Sequence, residues 1–251
     1  MEKTNILAPK YYLSNETLVN FRYPLHKHDH IEIVYVISGE LLLQIEENKY
    51  TLSAGEVALI LPNNCHLYYT EKKSKSQIVV LSNNFASELV DNYSMLNASN
   101  PIIKIDNIAK IMNEYSKRKP NYYMIKANTN YIGYKYIENN TFTNKNIKIV
   151  EFINKVLDYI ENNYNINPKL DELASNLGYS SNYLSSLLNN IFNKSFNGMI
   201  NEKRIAKSIE LLKNSTKPIN EIASLCGYNN IRSFNRNFLL INGIAPSDYR
   251  Q

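Results

Sequence analysis

The chain has only two cysteines in 251 residues, Cys65 and Cys226, far apart in sequence. They cannot build a disulfide framework and form no CxxC pair, which fits a reducing compartment. No apolar run approaches the length of a bilayer span, and the opening MEKTNILAPK has no apolar signal core. Both absences lead to the expectation of a cytoplasmic protein without a membrane partner. Tryptophan is missing, while Asn, Lys, Ile and Tyr are heavily used, a bias that AT-rich codons produce. No phosphate loop, paired acidic site or nucleophile–base arrangement stands out. The serines of SNYLSS and NKSF lack histidine neighbours in sequence, so no catalytic residue is assigned and the chain is not read as an enzyme. Strong charge is lacking too. A net +5 and a pI near 8.9 are compatible with a polyanion partner but do not point to one by themselves.

What is present divides near residue 83. From about 26 to 82, β-branched and aromatic runs break at Ser38-Gly39, Glu47-Asn48, Ala54-Gly55 and Pro62-Asn63. Short strands separated by turns predict a small sandwich or barrel. From about 84 the period becomes helical, with helices expected near 84–96, 106–117 and 121–138. ENNTFTNKN at 138–146 is polar and reads as a linker. From 147 onward the chain reads as short helices with tight turns.

That last stretch contains an internal repeat. LDELASNLGY (170–179) lies over INEIASLCGY (219–228) at an offset of 49, and Leu184, Leu188 and Asn193 lie over Phe234, Phe238 and Gly243 at an offset of 50. In each copy the apolar positions form one helix face. A small alanine on that face lets a second helix cross closely, and the glycine four residues later supplies a tight turn. Ser180-Ser181 and Asn229-Asn230 then cap a second helix. This is helix-turn-helix logic, in which the second helix enters the major groove of double-stranded DNA. One such hairpin is a weak signal. Two, joined by the amphipathic INEKRIAKSIELLKNS (200–215), are much stronger, and such a connector suits recognition helices roughly 34 Å apart. The candidate reading residues are Ser181, Asn182, Ser185, Ser186 and Asn189 in the first copy. In the second they are Asn230, Ile231, Arg232, Asn235 and Arg236. Arg suits guanine edges or phosphates, and Asn suits adenine. The competing reading is a solvated polar face, with Arg236 paired to a carboxylate such as Asp248.

These motifs resemble the AraC/XylS-type bacterial transcription regulators over essentially the whole length. LDELASNLGYSSNYLSSLL resembles the first motif, RIAKSIELL the connecting helix, and INEIASLCGYNNIRSFNRNF with NGIAPSDYR the second. The chain departs from that pattern at Ser186, Asn189-Asn190, Asn193 and Leu239-Leu240, mostly by losing basic residues. Upstream, His26, His28 and Glu32 share one face of an extended strand by period two. His-x-His-x3-Glu-x6-Gly, followed by Gly55 and His66, resembles the cupin signature. That resemblance implies a sensor pocket in which His26, His28, Glu32 and His66 hold a small organic effector or a divalent metal.

The expected fold is therefore α+β: a small cupin-like β-barrel followed by helices, then an all-α C-terminal domain with two helix-turn-helix motifs. The expected divisions are a sensor domain at 1–82, a helical dimerisation and linker region at 83–145, and a DNA-binding domain at 146–251. The resemblance implies a sequence-specific transcription regulator, an activator more than a repressor, with DNA, a second copy of the chain and RNA polymerase as partners. The tyrosines at 122, 123, 131, 134 and 136 either cover the barrel or build the dimer interface. The alternative is a metal-dependent cupin enzyme with an appended helical domain.

Overall fold

The β-branched run IEIVYVIS makes β3 (Ile31–Ser38), and its two faces have different partners. Ile31, Ile33 and Tyr35 belong to one buried cluster, and Val34 and Val36 to another. Period two sends alternate side chains to opposite faces, so this strand lies in the middle layer of three. In this computed structural model, which describes residues 13–250, it is flanked by β8 (Lys75–Leu81) and β6 (Val57–Ile60). With β1 (Leu13–Val19) and β10 (Ile102–Ile103) they form a five-stranded antiparallel sheet in the order β1-β8-β3-β6-β10. The MEKTNILAPK segment lies outside the described residues.

A second sheet has the order β2 (Tyr23–His26), β7 (His66–Tyr69), β4 (Glu40–Ile45), β5 (Asn48–Ser53). Leu41, Leu43, Leu52 and Tyr68 from it meet Val34, Val36, Ala58 and Ile60 from the first. Each fully buried Leu, Ile or Val among these contributes roughly 1.5–3 kcal/mol. The expected barrel is thus a two-sheet sandwich. The register of β3 against β8 shifts between Val36 and Ser38. Gly39 then turns the chain at φ 76°, where a Cβ would run into the Lys73 carbonyl oxygen. A bulge followed by a glycine corner moves the chain from one sheet to the other instead of extending a single closed sheet.

The outer face of the first sheet is covered by α1 (Ser87–Tyr93), α2 (Ile108–Tyr115) and α3 (Tyr122–Glu138). Leu89, Met112, Tyr115, Ile125, Ile132 and Tyr136 share one cluster with Ile31, Ile33 and Leu59. Residues 83–138 therefore help build the sheet's own core. The segment 138–146, read as a linker, contains β11 (Phe142–Asn144), paired antiparallel with β9 (Leu96–Ala98).

The described residues fall into two compact units, one of residues up to 21 with 26–146, the other of 22–25 with 147–250. The second is helical: α4 (Ile147–Asn163), α5 (Leu170–Leu177), α6 (Ser181–Phe192), α7 (Phe196–Asn214), α8 (Ile219–Leu225), α9 (Ile231–Asn242) and α10 (Pro246–Tyr249). The sequence repeat is a structural repeat. Helix α5 packs on α6, and α8 on α9. After α5, Tyr179 N–H donates to Ala174 O and Gly178 N–H to Ser175 O; after α8, Tyr228 donates to Ala223 and Gly227 to Ser224. Both copies end their first helix in the same reverse turn with a left-handed glycine, at φ 74° and 85°.

Candidate DNA interface and sensor site

The second helix of each copy presents an equivalent face. Both are 12 residues long and offset by 50, with left-handed caps at Asn193 and Gly243. Leu184, Leu188 and Phe192 bury one side of α6; Phe234 and Phe238 bury the matching side of α9. Asn182, Ser186 and Asn189 are exposed on α6, and Ile231, Arg232, Asn235, Arg236 and Leu239 on α9; Ser181 and Ser185 are half-buried. Two of the expected readers have local roles as well. Ser181 Oγ donates to Asp171 on the preceding helix, and Asn230 Oδ1 accepts from Arg232 N–H at 2.7 Å as the N-cap of α9. Ser180 caps α6, accepting from Tyr183 N–H. Among the described residues neither the Arg232 nor the Arg236 guanidinium has an ion-pair or hydrogen-bond partner. Asp248 instead accepts from Ser247 Oγ, so the competing Arg236–Asp248 pair is not formed. The other edge of α9 lines a cleft of about 360 Å³ with Ser233 and Asn237 facing Asn165, Asn167 and Arg204. Residues 147–251 carry twelve Lys and Arg against nine Asp and Glu, a net of +3. The two unpaired arginines are therefore a large share of the charge available to phosphates.

In the sandwich, the four candidate ligands converge, but not along one strand as period two implied. His26 ends β2, His28 lies in the bend that follows, and Glu32 is on β3. The break at 27–30 is fastened by Asn63 N–H donating to His28 O at 2.8 Å. Glu32 shares the face of Val34 and Val36, toward the second sheet, where β7 supplies His66 and Tyr68. One ligand atom from each of His26, His28, Glu32 and His66 lies within 4.8 Å of all the others. The His28 Nε2–H donates to Glu32 Oε2 at 2.7 Å, and Tyr68 Oη–H donates to Oε1. Burial alone would push the Glu32 carboxyl up. The surrounding imidazoles of His66, His28 and His26 outweigh it and hold the group well below the usual carboxylate range. His66 Nδ1–H donates to Asn64 O at 2.8 Å, which leaves Nε2 as its lone-pair atom. That nitrogen, 3.4 Å from Glu32 Oε2, is buried without a hydrogen-bond partner, as is His28 Nδ1.

Residues 9–108 match the AraC-like ligand binding domain family, and residues 173–251 match a helix-turn-helix domain family. The chain belongs to the AraC-type transcription regulators. It is a DNA-binding regulator with an N-terminal ligand-binding domain. Solved structures of relatives share the fold. One is Vibrio cholerae strain SCE256 ToxT bound to an unsaturated fatty acid, at 19% identity over 96% of this chain and 94% of that one, with a TM-score of 0.58. Another is Vibrio cholerae O395 ToxT bound to (E)-4-(8-methylnaphthalen-1-yl)but-3-enoic acid, at 16% identity over 96% and 98%, with a TM-score of 0.57. No curated protein matches the chain. Among the described residues no helix is long and apolar enough to cross a membrane.

Two residues of this AraC-type chain escaped the sequence reading. Tyr183 is 54% exposed beside Asn182 and Ser186 on α6; tyrosine suits a core as well as a surface, so its type alone does not mark it. Tyr68 reaches Glu32 across the sandwich, a pairing of residues 36 apart that only the fold reveals.

Proposed function

We propose that this regulator reads DNA with the exposed faces of α6 and α9 and responds to a small ligand held at His26, His28, Glu32 and His66. The equivalence of the two helix faces carries the DNA half of the reading. Asn182, Ser185, Ser186 and Asn189 supply short neutral contacts, with Ser181 and Asn230 serving chiefly to set the helix starts. Arg232 and Arg236, flanked by Ile231 and Asn235, supply charge. The sensor half rests on the donor set. Three imidazoles and a buried carboxylate, each offering one ligand atom within 4.8 Å of the others, suit a divalent cation such as Zn, Fe, Mn or Ni. When bound, that cation supplies positive charge that offsets Glu32 and gives an effector oxygen a point of attachment. The ligands in those two ToxT structures, a fatty acid and a butenoic acid, both carry a carboxyl group that such a charge would receive. This work is expected in the cytoplasm, with activation through RNA polymerase, as the family resemblance implies.

Replacing His28 and Glu32 together by Ala should abolish or reverse ligand-dependent transcription from the target promoter, located by genome-wide mapping of bound DNA. Operator affinity of the isolated DNA-binding domain should be unaffected, because both residues lie outside it. A normal transcriptional response in the double variant would refute the pocket.

We also read α3 as the dimer contact. Tyr123, Met124, Tyr131 and Tyr134 are exposed along one face of it, Tyr123 by 75%, while Ile125, Ile132 and Tyr136 fill the core. Two copies would bring paired half-sites under one binding event. Sedimentation at micromolar concentration should give a dimer, and Tyr123→Asp with Tyr134→Asp a monomer. A wild-type monomer both with and without DNA would contradict it.

A further inference from the structure

Lys145 is the last buried residue before α4 begins at Ile147, and it is 8% exposed. Its ammonium donates to Asn64 Oδ1 and, at 2.8 Å, to the Ser94 carbonyl. Burying a lysine is costly unless its donors are met, and here one of the acceptors belongs to the loop that shapes the sensor site. Three consecutive residues of that loop fasten the cluster and the buried carboxylate next to it. Asn63 N–H holds the His28 carbonyl, Asn64 O receives the His66 Nδ1 proton, and Cys65 N–H donates to Glu46 Oε1 at 3.3 Å. Glu46 is itself buried, sits at φ 50°, and leaves Oε2 without a hydrogen-bond partner. Burial raises the Glu46 carboxyl and lowers the Lys145 ammonium, and each group's charge opposes the other's shift; His66 acts on Glu46 too. The ligand cluster and the chain entering the DNA-binding domain are thus separated by one asparagine.

We propose that Asn64 and Lys145 form the coupling element of this regulator: occupancy of the His26, His28, Glu32 and His66 cluster is transmitted through His66 and Asn64 to Lys145, the anchor of the segment leading into α4. This rests on the reading of the cluster as a cation-dependent sensor site. The sign follows from the chemistry. A cation taken by His66 Nε2 requires the proton to stay on Nδ1, and it strengthens that N–H as a donor to Asn64 O. The loop that accepts this proton is the loop that holds Lys145, so ligation and docking of Lys145 favour each other. Coupling of this kind is reciprocal, so undocking Lys145 weakens cation binding by the same factor that cation binding tightens docking.

The test uses the full-length protein and Co²⁺ alone as the probe, read by its absorption spectrum and by amide hydrogen exchange over residues 141–147. In the wild type, Co²⁺ should bind and slow exchange across this segment. In Lys145→Met and Asn64→Leu, Co²⁺ should bind about tenfold more weakly, and exchange at 141–147 should be fast with or without it. Asn64→Asp, which keeps an acceptor for Lys145, should restore the protection. This rescue separates a positioning role from a general loss of folding, which thermal melts report directly. Equal Co²⁺ affinity and equal protection in wild type and Lys145→Met would overturn the coupling while leaving the cation site standing. Absence of Co²⁺ binding to the wild type would overturn the cation reading and the coupling with it.

Discussion

Replacing Arg232 and Arg236 together by Ala should reduce operator affinity by two orders of magnitude or more, whereas Ser186→Ala on the other recognition helix should change it by about twofold at most. The reasoning starts from the paired helices. The exposed face of α6 carries only neutral side chains, and that of α9 carries two arginines one turn apart with no internal partner. An arginine that reads a guanine should cost about 1–3 kcal/mol when lost, roughly 5- to 150-fold, and should relax preference at one base pair. One that grips a phosphate should weaken all sequences alike and lower the slope of log affinity against log salt by about one. Salt titrations of both single variants on the operator and on a point-mutated operator assign each arginine to one role. Unchanged affinity and slope in both variants would show that α9 is not the main gripping element.

Gly227→Ala should destabilise the protein by about 2–5 kcal/mol, against about 1–2 kcal/mol for Gly178→Ala. The two glycines close equivalent turns at similar positive φ, 85° and 74°, and adopting that region costs an alanine about 1–2 kcal/mol at either site. Their surroundings differ. A Cβ on Gly178 meets nothing within 4 Å, whereas one on Gly227 falls 2.7 Å from Asn165 Cα and O. Asn165 cannot readily retreat. Arg204 holds the chain on both sides of it, donating to Tyr164 O and Ile166 O at 2.6 Å each, and stacks over the Tyr228 ring at 5.3 Å. Overpacking against fixed backbone adds about 1–3 kcal/mol. Urea unfolding of the two variants makes the comparison, and equal losses would mean that the Asn165 contact yields.

Some of this was legible in the sequence because it repeats or alternates. The two motifs announced themselves by apolar spacing, Ala174 and Ala223, and turn glycines. The breaks at Ser38-Gly39, Ala54-Gly55 and Pro62-Asn63 fall between strands as expected. The four cluster residues were found as a set. Their geometry was not, because His26 and Glu32 reach each other from different strands across a bend. Strands β9, β10 and β11 are two or three residues long, too short for any period to show. Lys145 sat in a polar stretch whose composition gave no sign of burial. The bond from its ammonium to Asn64 spans 81 residues, and only the fold brings the two together.

The central claim, that two equivalent recognition helices read DNA, is tested most directly by residues 146–251 alone. This fragment contains both motifs and the helix joining them. Incubated with a random-sequence duplex library, it should fold, bind, and select a two-part site whose halves lie about one helical turn apart. Binding should weaken steeply with salt. A soluble, helical fragment that selects no preferred sequence would contradict the account.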